Sequence, residues 1–166
     1  MNIVLVGFMG TGKTCISKEL TKLCEMRYIS TDEMIEQKEG RSINDIFKEK
    51  DERYFRDVER SVVKEVSNLD GVVIDAGGGV MIDEENVKVL KSNGIIFCLQ
   101  SDPSVILERM KDEKNRPLLN VDDKLAKIKE LLSKRASYYE RADHFIDTTD
   151  FNVERITKQI IGIFKS

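Results

Sequence analysis

A three-layer α/β/α fold around a parallel sheet is predicted by three observations. Short β-branched apolar runs recur along the chain, amphipathic stretches of helical period separate them, and the first run ends in a glycine-rich loop. Ile3-Val4-Leu5-Val6 is brief and wholly apolar, as a strand covered on both faces requires. From Lys13 to Cys24, Ile16, Leu20 and Leu23 recur on one helical face. Tyr28-Ile29 reads as a short second strand. Asp32 to Glu39 reads as a short helix closed by Gly40, and Ser42, with Asp45 three residues on, as a variant capping box opening another.

A further helix carries Phe55, Val58, Val62, Val63 and Val66. Val72-Val73-Ile74 is a third strand and runs into Gly77-Gly78-Gly79. Asp83 is placed to cap a helix reaching about Lys91. Ile95 to Leu99 is a fourth strand, and Pro103 suits the first turn of a helix ending near Met110. Lys111 to Asp123 is polar, charged and proline-containing, and reads as a mobile loop. Lys124 to Arg141 is helical, His144 to Ile146 a fifth strand and Val153 to Phe164 a last helix. No repeat, low-complexity segment or linker interrupts this order, so one domain over residues 1–166 is expected.

Composition narrows the function classes. The 166 residues suffice for one hydrophobic core, and 40% apolar with 34% charged residues is ordinary for a globular protein. A formal net charge of −3 gives no global field for nucleic acid or an anionic membrane, so any anion site must be local. Cys15, Cys24 and Cys98 are few and far apart, which suits reduced thiols better than disulfides or a zinc site. The N-terminal apolar run is too short for a signal or membrane segment. A cytoplasmic protein, monomeric and with no nucleic-acid or membrane partner, is expected.

Gly7-Phe8-Met9-Gly10-Thr11-Gly12-Lys13-Thr14 has the spacing G-x-x-x-x-G-K-T. Its glycines let backbone N–H groups turn inward around phosphate oxygens, and the following helix points its positive end at the anion. Gly10, Thr11, Gly12, Lys13, Thr14 and Cys15 are the expected ATP-binding residues. Lys13 should reach the β- and γ-phosphates, and Thr14 should offer its hydroxyl to Mg²⁺. The loop specifies a nucleotide and leaves the acceptor open. No N-K-x-D motif is present, since Lys114-Asn115-Arg116-Pro117 does not match, and a motor ATPase would normally be larger.

The rest of the chain resembles one family. Thr31-Asp32-x-x-Ile35-Glu36, Gly40-Arg41-Ser42-Ile43, Phe55-Arg56-x-x-Glu59, Gly77-Gly78-Gly79, Arg116-Pro117-Leu118-Leu119 and Lys134-Arg135-x-x-x-Tyr139 are similar to shikimate kinase motifs. With the phosphate loop they stand in the family's order and cover nearly the whole chain. The resemblance implies transfer of the ATP γ-phosphoryl group to the 3-hydroxyl of shikimate. It implies a nucleoside-monophosphate-kinase-like P-loop fold with five parallel strands, a substrate-binding segment at about 31–60 and a mobile lid at about 111–123. A related gluconate-type kinase and a catalytically impaired nucleotide-binding homologue are the competing readings.

The chemistry of the acceptor agrees with the residues. A carboxylate suits guanidinium forks, for which Arg56 and Arg135 are the candidates, with Gly78 presenting a bare backbone N–H beside them. Asp32 resembles the residue at the reacting hydroxyl, which orients it and accepts its proton. Together with Lys13 and Arg116 it makes up the expected catalytic set. Arg116 resembles the lid arginine that closes over the phosphates, and Arg109 the one that stacks on adenine. Phe47 and Phe55 resemble the walls of the acceptor pocket, and equally suit a core.

Plainer roles remain open for some of these residues. Asp32 suits a helix cap, Arg56 an ion pair with Glu59 or Glu52, and Gly77 to Gly79 a tight turn. The chain also departs from the family, which usually has Asp-x-Asp where this chain has Ser30-Thr31-Asp32. In the family the first aspartate helps hold Mg²⁺ through water. Asp75, at the end of the third strand, is expected to take over part of that role.

Overall fold

Strand β1 (Asn2–Gly7) forms the middle of the sheet, and every one of its six residues is buried. Its side chains alternate between two cores. Val4 and Val6 join one apolar cluster, and Ile3 and Leu5 the other, as the two-residue period of a strand dictates. A strand covered on both faces needs no polar alternation, which is why Ile3 to Val6 reads as an unbroken apolar run. The structure, a computed structural model, describes residues 1–111 and 121–166.

The other strands are β2 (Arg27–Ser30), β3 (Val72–Asp75), β4 (Gly94–Gln100) and β5 (His144–Asp147). They order as β2-β3-β1-β4-β5, with every neighbouring pair parallel. Helices α1 (Lys13–Cys24) and α8 (Val153–Phe164) cover one face, where Ile16 and Leu20 meet Ile156 and Ile160. The other face carries α2 (Thr31–Glu39), α3 (Ile43–Glu49), α4 (Glu52–Ser67), α5 (Glu84–Ser92), α6 (Pro103–Arg109) and α7 (Lys124–Tyr139), whose buried members include Ile35, Ile46, Val62, Val66, Val87, Ile106 and Ile128. This is the predicted three-layer arrangement with five parallel strands. Among the described residues, no helix is long and apolar enough to cross a membrane.

Capping follows the sequence closely. Ser42 caps α3 by accepting from Asp45 N at 3.1 Å, Asp51 caps α4 through Tyr54 N at 2.8 Å, and Asp83 caps α5 through Glu85 N at 2.9 Å. At α2 the cap is Ser30, whose Oγ accepts from Glu33 N at 3.2 Å. Asp32 lies inside the first turn, so the plainer role of helix cap belongs to Ser30. A single 3₁₀ turn at Val80–Ile82, which the sequence pattern does not signal, joins the glycine run to α5.

In a parallel sheet all strands end on the same side, and ligands gather where the chain turns to opposite sides of a central strand. Here that strand is β1. From it the chain runs to β2 on one side and, later, from β3 across to β4 on the other. The loop after β1 and the glycine run after β3 therefore lie at the same edge of the molecule.

Candidate active site

The phosphate loop spans the gap between β1 and α1. Gly10 and Gly12 take φ of 75° and 94°, in the left-handed region that favours glycine. A Cβ at Gly12 would collide with the Phe151 ring. Thr11 is buried, and its hydroxyl donates to Phe8 O at 2.7 Å, while Thr148 Oγ1 donates to Thr11 O at 2.7 Å. The loop is thus pinned from within and from the β5–α8 connection. Lys13 Nζ reaches back over the loop to Gly7 O at 2.9 Å and Phe8 O at 3.2 Å. Cys15, in the first turn of α1, has an exposed thiol.

Arg109 closes the side of this loop. Its guanidinium donates to Gly10 O at 3.0 Å, Ser101 Oγ at 2.9 Å, Thr148 O at 2.5 Å and Thr149 O at 3.2 Å. It lies 4.9 Å from the centre of the Phe151 ring. Four hydrogen bonds in its own plane make it a fixed plate, as a stacking surface for a flat base requires. Phe151, with φ of 44°, is one of two residues other than glycine with positive φ among those described. Nothing in its sequence neighbours specifies that backbone state.

Thr14 Oγ1 donates to Asp75 Oδ2 at 2.7 Å, linking the loop to the end of β3. Register places Ser30 directly across from Asp75 on β2. The two strand ends compared in the sequence are therefore adjacent in space.

The glycine run brings the acceptor candidates together. A Cβ on Gly77 would lie 2.6 Å from Asp32 Oδ1, and one on Gly78 would lie 3.2 Å from Arg135 Nη1. One on Gly79 would overlap the Arg56 guanidinium. Each of the three consecutive glycines thus makes room for a different one of the three charged residues. Gly77 N–H donates to Thr31 Oγ1 at 3.0 Å, tying the turn to the start of α2. The run is a tight turn, and it is also the surface on which these side chains meet.

Each arginine is held from behind. Arg56 Nη1 donates to Glu59 Oε1 at 2.8 Å, and Nη2 reaches Glu52 Oε1 at 3.4 Å. Both ion pairs expected of it are present, and the first is buried, with Glu59 1% exposed. Burial pushes the Glu59 carboxyl above the usual range, although the Arg56 charge pulls the other way. Arg135, on α7, lies 5.7 Å from the centre of the Phe8 ring, so a residue inside the phosphate loop floors it. One turn on, Tyr139 OH donates to Gly78 O at 3.1 Å. Phe55 is core and Phe47 is 41% exposed, their ring centres 4.8 Å apart. His144 stacks on Phe97 and lies in the sheet.

Arg116 and most of the expected lid lie outside the described residues. Sequence reasoning missed Thr31, Phe8 and Phe151, which act on the site by packing and backbone contact. Glu59, which closes the Phe55-Arg56-x-x-Glu59 motif, is also the ion-pair partner of Arg56, and pairing with it and facing the glycine turn occur together.

A triphosphate cradle that opens onto paired guanidinium groups and a carboxylate is the architecture of a P-loop phosphotransferase with a small anionic acceptor. The family model described as shikimate kinase matches residues 9–165. Shikimate kinase of Thermodesulfovibrio yellowstonii is 45% identical over 160 residues, 96% of this chain and 92% of that protein. That of Caldicellulosiruptor bescii is 43% identical over 98% of this chain and 94% of its own length. Among solved structures, shikimate kinase from Acinetobacter baumannii in complex with shikimate superposes with a TM-score of 0.92 at 34% identity, covering 98% of this chain and 92% of the other. The chain belongs to the shikimate kinase family.

Proposed function

We infer that this protein transfers the γ-phosphoryl group of ATP to the 3-hydroxyl of shikimate, in the cytoplasm and as a monomer. The observation that carries the acceptor half is the glycine run, where Asp32, Arg135 and Arg56 each pack against one glycine. Arg56 and Arg135 supply two planar forks for one carboxylate, and Gly78 a backbone approach without a side chain. Asp32 orients the acceptor hydroxyl and takes its proton as the new oxygen–phosphorus bond forms. The bond from the γ-phosphorus to the bridging oxygen breaks, and ADP leaves.

On the donor side, Gly10, Thr11, Gly12 and Cys15 cradle phosphates with backbone N–H groups, and Lys13 stabilises charge on the transferring group. Arg109 is the plate for adenine. Arg116 enters from the family resemblance alone, as the lid cation over the phosphates. Mg²⁺ is the expected metal. Among the described residues, no group of three His, Cys, Asp or Glu side chains could hold a metal ion by itself. The hard hydroxyl oxygen of Thr14 would be its protein ligand, with nucleotide phosphates and water completing the shell. When bound, the ion neutralises charge on the β- and γ-phosphates.

ADP release with shikimate, with gluconate and with no acceptor tests the reading. Shikimate-dependent release well above both controls is expected. Equal release with gluconate would move the acceptor assignment to a related kinase, and release independent of any acceptor would remove it.

A further inference from the structure

Asp75 is a buried carboxylate that neither the phosphate cradle nor the acceptor clamp uses. It ends β3 and is 7% exposed. Two hydroxyls donate to it, Thr14 Oγ1 at 2.7 Å and Tyr28 OH at 3.0 Å, and both reach Oδ2. Among the described residues no hydrogen bond is donated to Oδ1. A carboxylate this deep is retained only where something compensates its charge, and its described hydrogen bonds come from neutral groups.

The hydroxyls explain what the arrangement is for. Thr14 has one proton to donate, and giving it to Asp75 leaves only lone pairs for a cation. Tyr28 has one as well. By giving it to Oδ2, it keeps the carboxylate from turning and leaves Oδ1 as the remaining acceptor. Ser30, across the ladder, is already engaged as the cap of α2 and carries no charge.

We propose that Asp75, held in place by Tyr28, is the carboxylate of the nucleotide's divalent-cation shell, accepting a hydrogen bond from cation-bound water while Thr14 ligates the ion directly. This rests on the nucleotide-binding reading of the phosphate loop. Mg²⁺ sheds water reluctantly, so a carboxylate one water away is a normal partner for it, and Tyr28 is a positioning residue behind that partner.

Mn²⁺ binding to the enzyme–ADP complex, followed by electron paramagnetic resonance of the free ion, reads the shell without turnover. ADP binding in excess chelator, by calorimetry, reads the phosphate loop separately. Asp75→Asn keeps the shape, and should weaken Mn²⁺ binding by about 10–100-fold while metal-free ADP affinity stays within a few-fold. Tyr28→Phe removes one hydroxyl, and should weaken Mn²⁺ in the same direction by a smaller factor. It should also raise the Mg²⁺ needed for half-maximal rate, with kcat recovered at high Mg²⁺. Ser30→Asp added to Asp75→Asn returns a carboxylate to the adjacent strand end, where aspartate also caps a helix, and should recover part of the Mn²⁺ affinity.

Unchanged Mn²⁺ affinity in Asp75→Asn, with metal-free ADP binding intact, overturns the proposal. If that variant does not fold, unchanged Mn²⁺ affinity in Tyr28→Phe, which removes the bond to Asp75, overturns the proposal. Wild-type protein that fails to bind metal-free ADP overturns the phosphate-loop reading, and this proposal with it.

Discussion

Asp32 and Glu59 are two carboxylates near the same turn that differ in burial. Asp32 stands in the first turn of α2 beside Gly77, and Glu59 is buried behind Arg56. If Asp32 accepts the acceptor's proton, Asp32→Asn keeps the volume and removes the base. Turnover should fall by roughly 10²–10⁴ while ATP binding persists, and turnover within a few-fold of wild type would contradict the role. Glu59 should behave differently, because burial raises its pKa in the folded state. Its contribution to stability is then full below the ordinary glutamate value of 4.5 and lost as pH rises through the raised one. The stability difference between wild type and Glu59→Gln should therefore shift toward wild type as pH falls from 7 toward 4.5. In the same variant the acceptor KM should rise, since Arg56 loses its anchor. Parallel pH–stability curves for the two proteins would count against a raised Glu59.

At the scale of elements, the turn from Gly77 to Gly79 does what no single side chain does, since it lets side chains from α2, α4 and α7 converge. Gly79→Ala should displace the Arg56 guanidinium and raise the acceptor KM several-fold with ATP KM nearly unchanged. Equal effects on both substrates would point to general loosening of the turn. The strands and most helix starts were legible because each carries a local signature: an apolar run, a capping side chain or the phosphate-loop spacing. The alternative cap at Asp32 resolved to Ser30 because the cap sits just before the first helical residue, and the sequence pattern placed that boundary late. The 3₁₀ turn at Val80–Ile82 and the backbone state of Phe151 were not legible, since packing against distant segments sets both. Arg109 was legible as a site residue only through family likeness. Its bonds to Gly10, Ser101, Thr148 and Thr149 join parts of the chain far apart in sequence.

For the whole molecule, nucleotide binding and folding should be linked. The phosphate loop joins β1 to α1, and through Thr148 and Arg109 it is tied to the connection that follows the last strand. A ligand that binds only the folded state at about 100 times its Kd adds ~2.7 kcal/mol of stability. For a chain of this size that is a rise in Tm of roughly 5–11 °C. ADP should produce such a rise, and Lys13→Ala should remove most of it; an undiminished rise in that variant would argue against Lys13 as a phosphate ligand. The central place of β1 also bears on how the protein is made. Its pairing partners lie about 70 and about 90 residues further along the chain. At synthesis rates of about 5–20 residues per second, the apolar segment Ile3 to Val6 waits several seconds or more before either partner exists. A short β-branched run with no charge is the kind of segment that pairs with copies of itself. The strand that anchors the phosphate loop is thus the one that waits longest for a pairing partner while the chain is still growing.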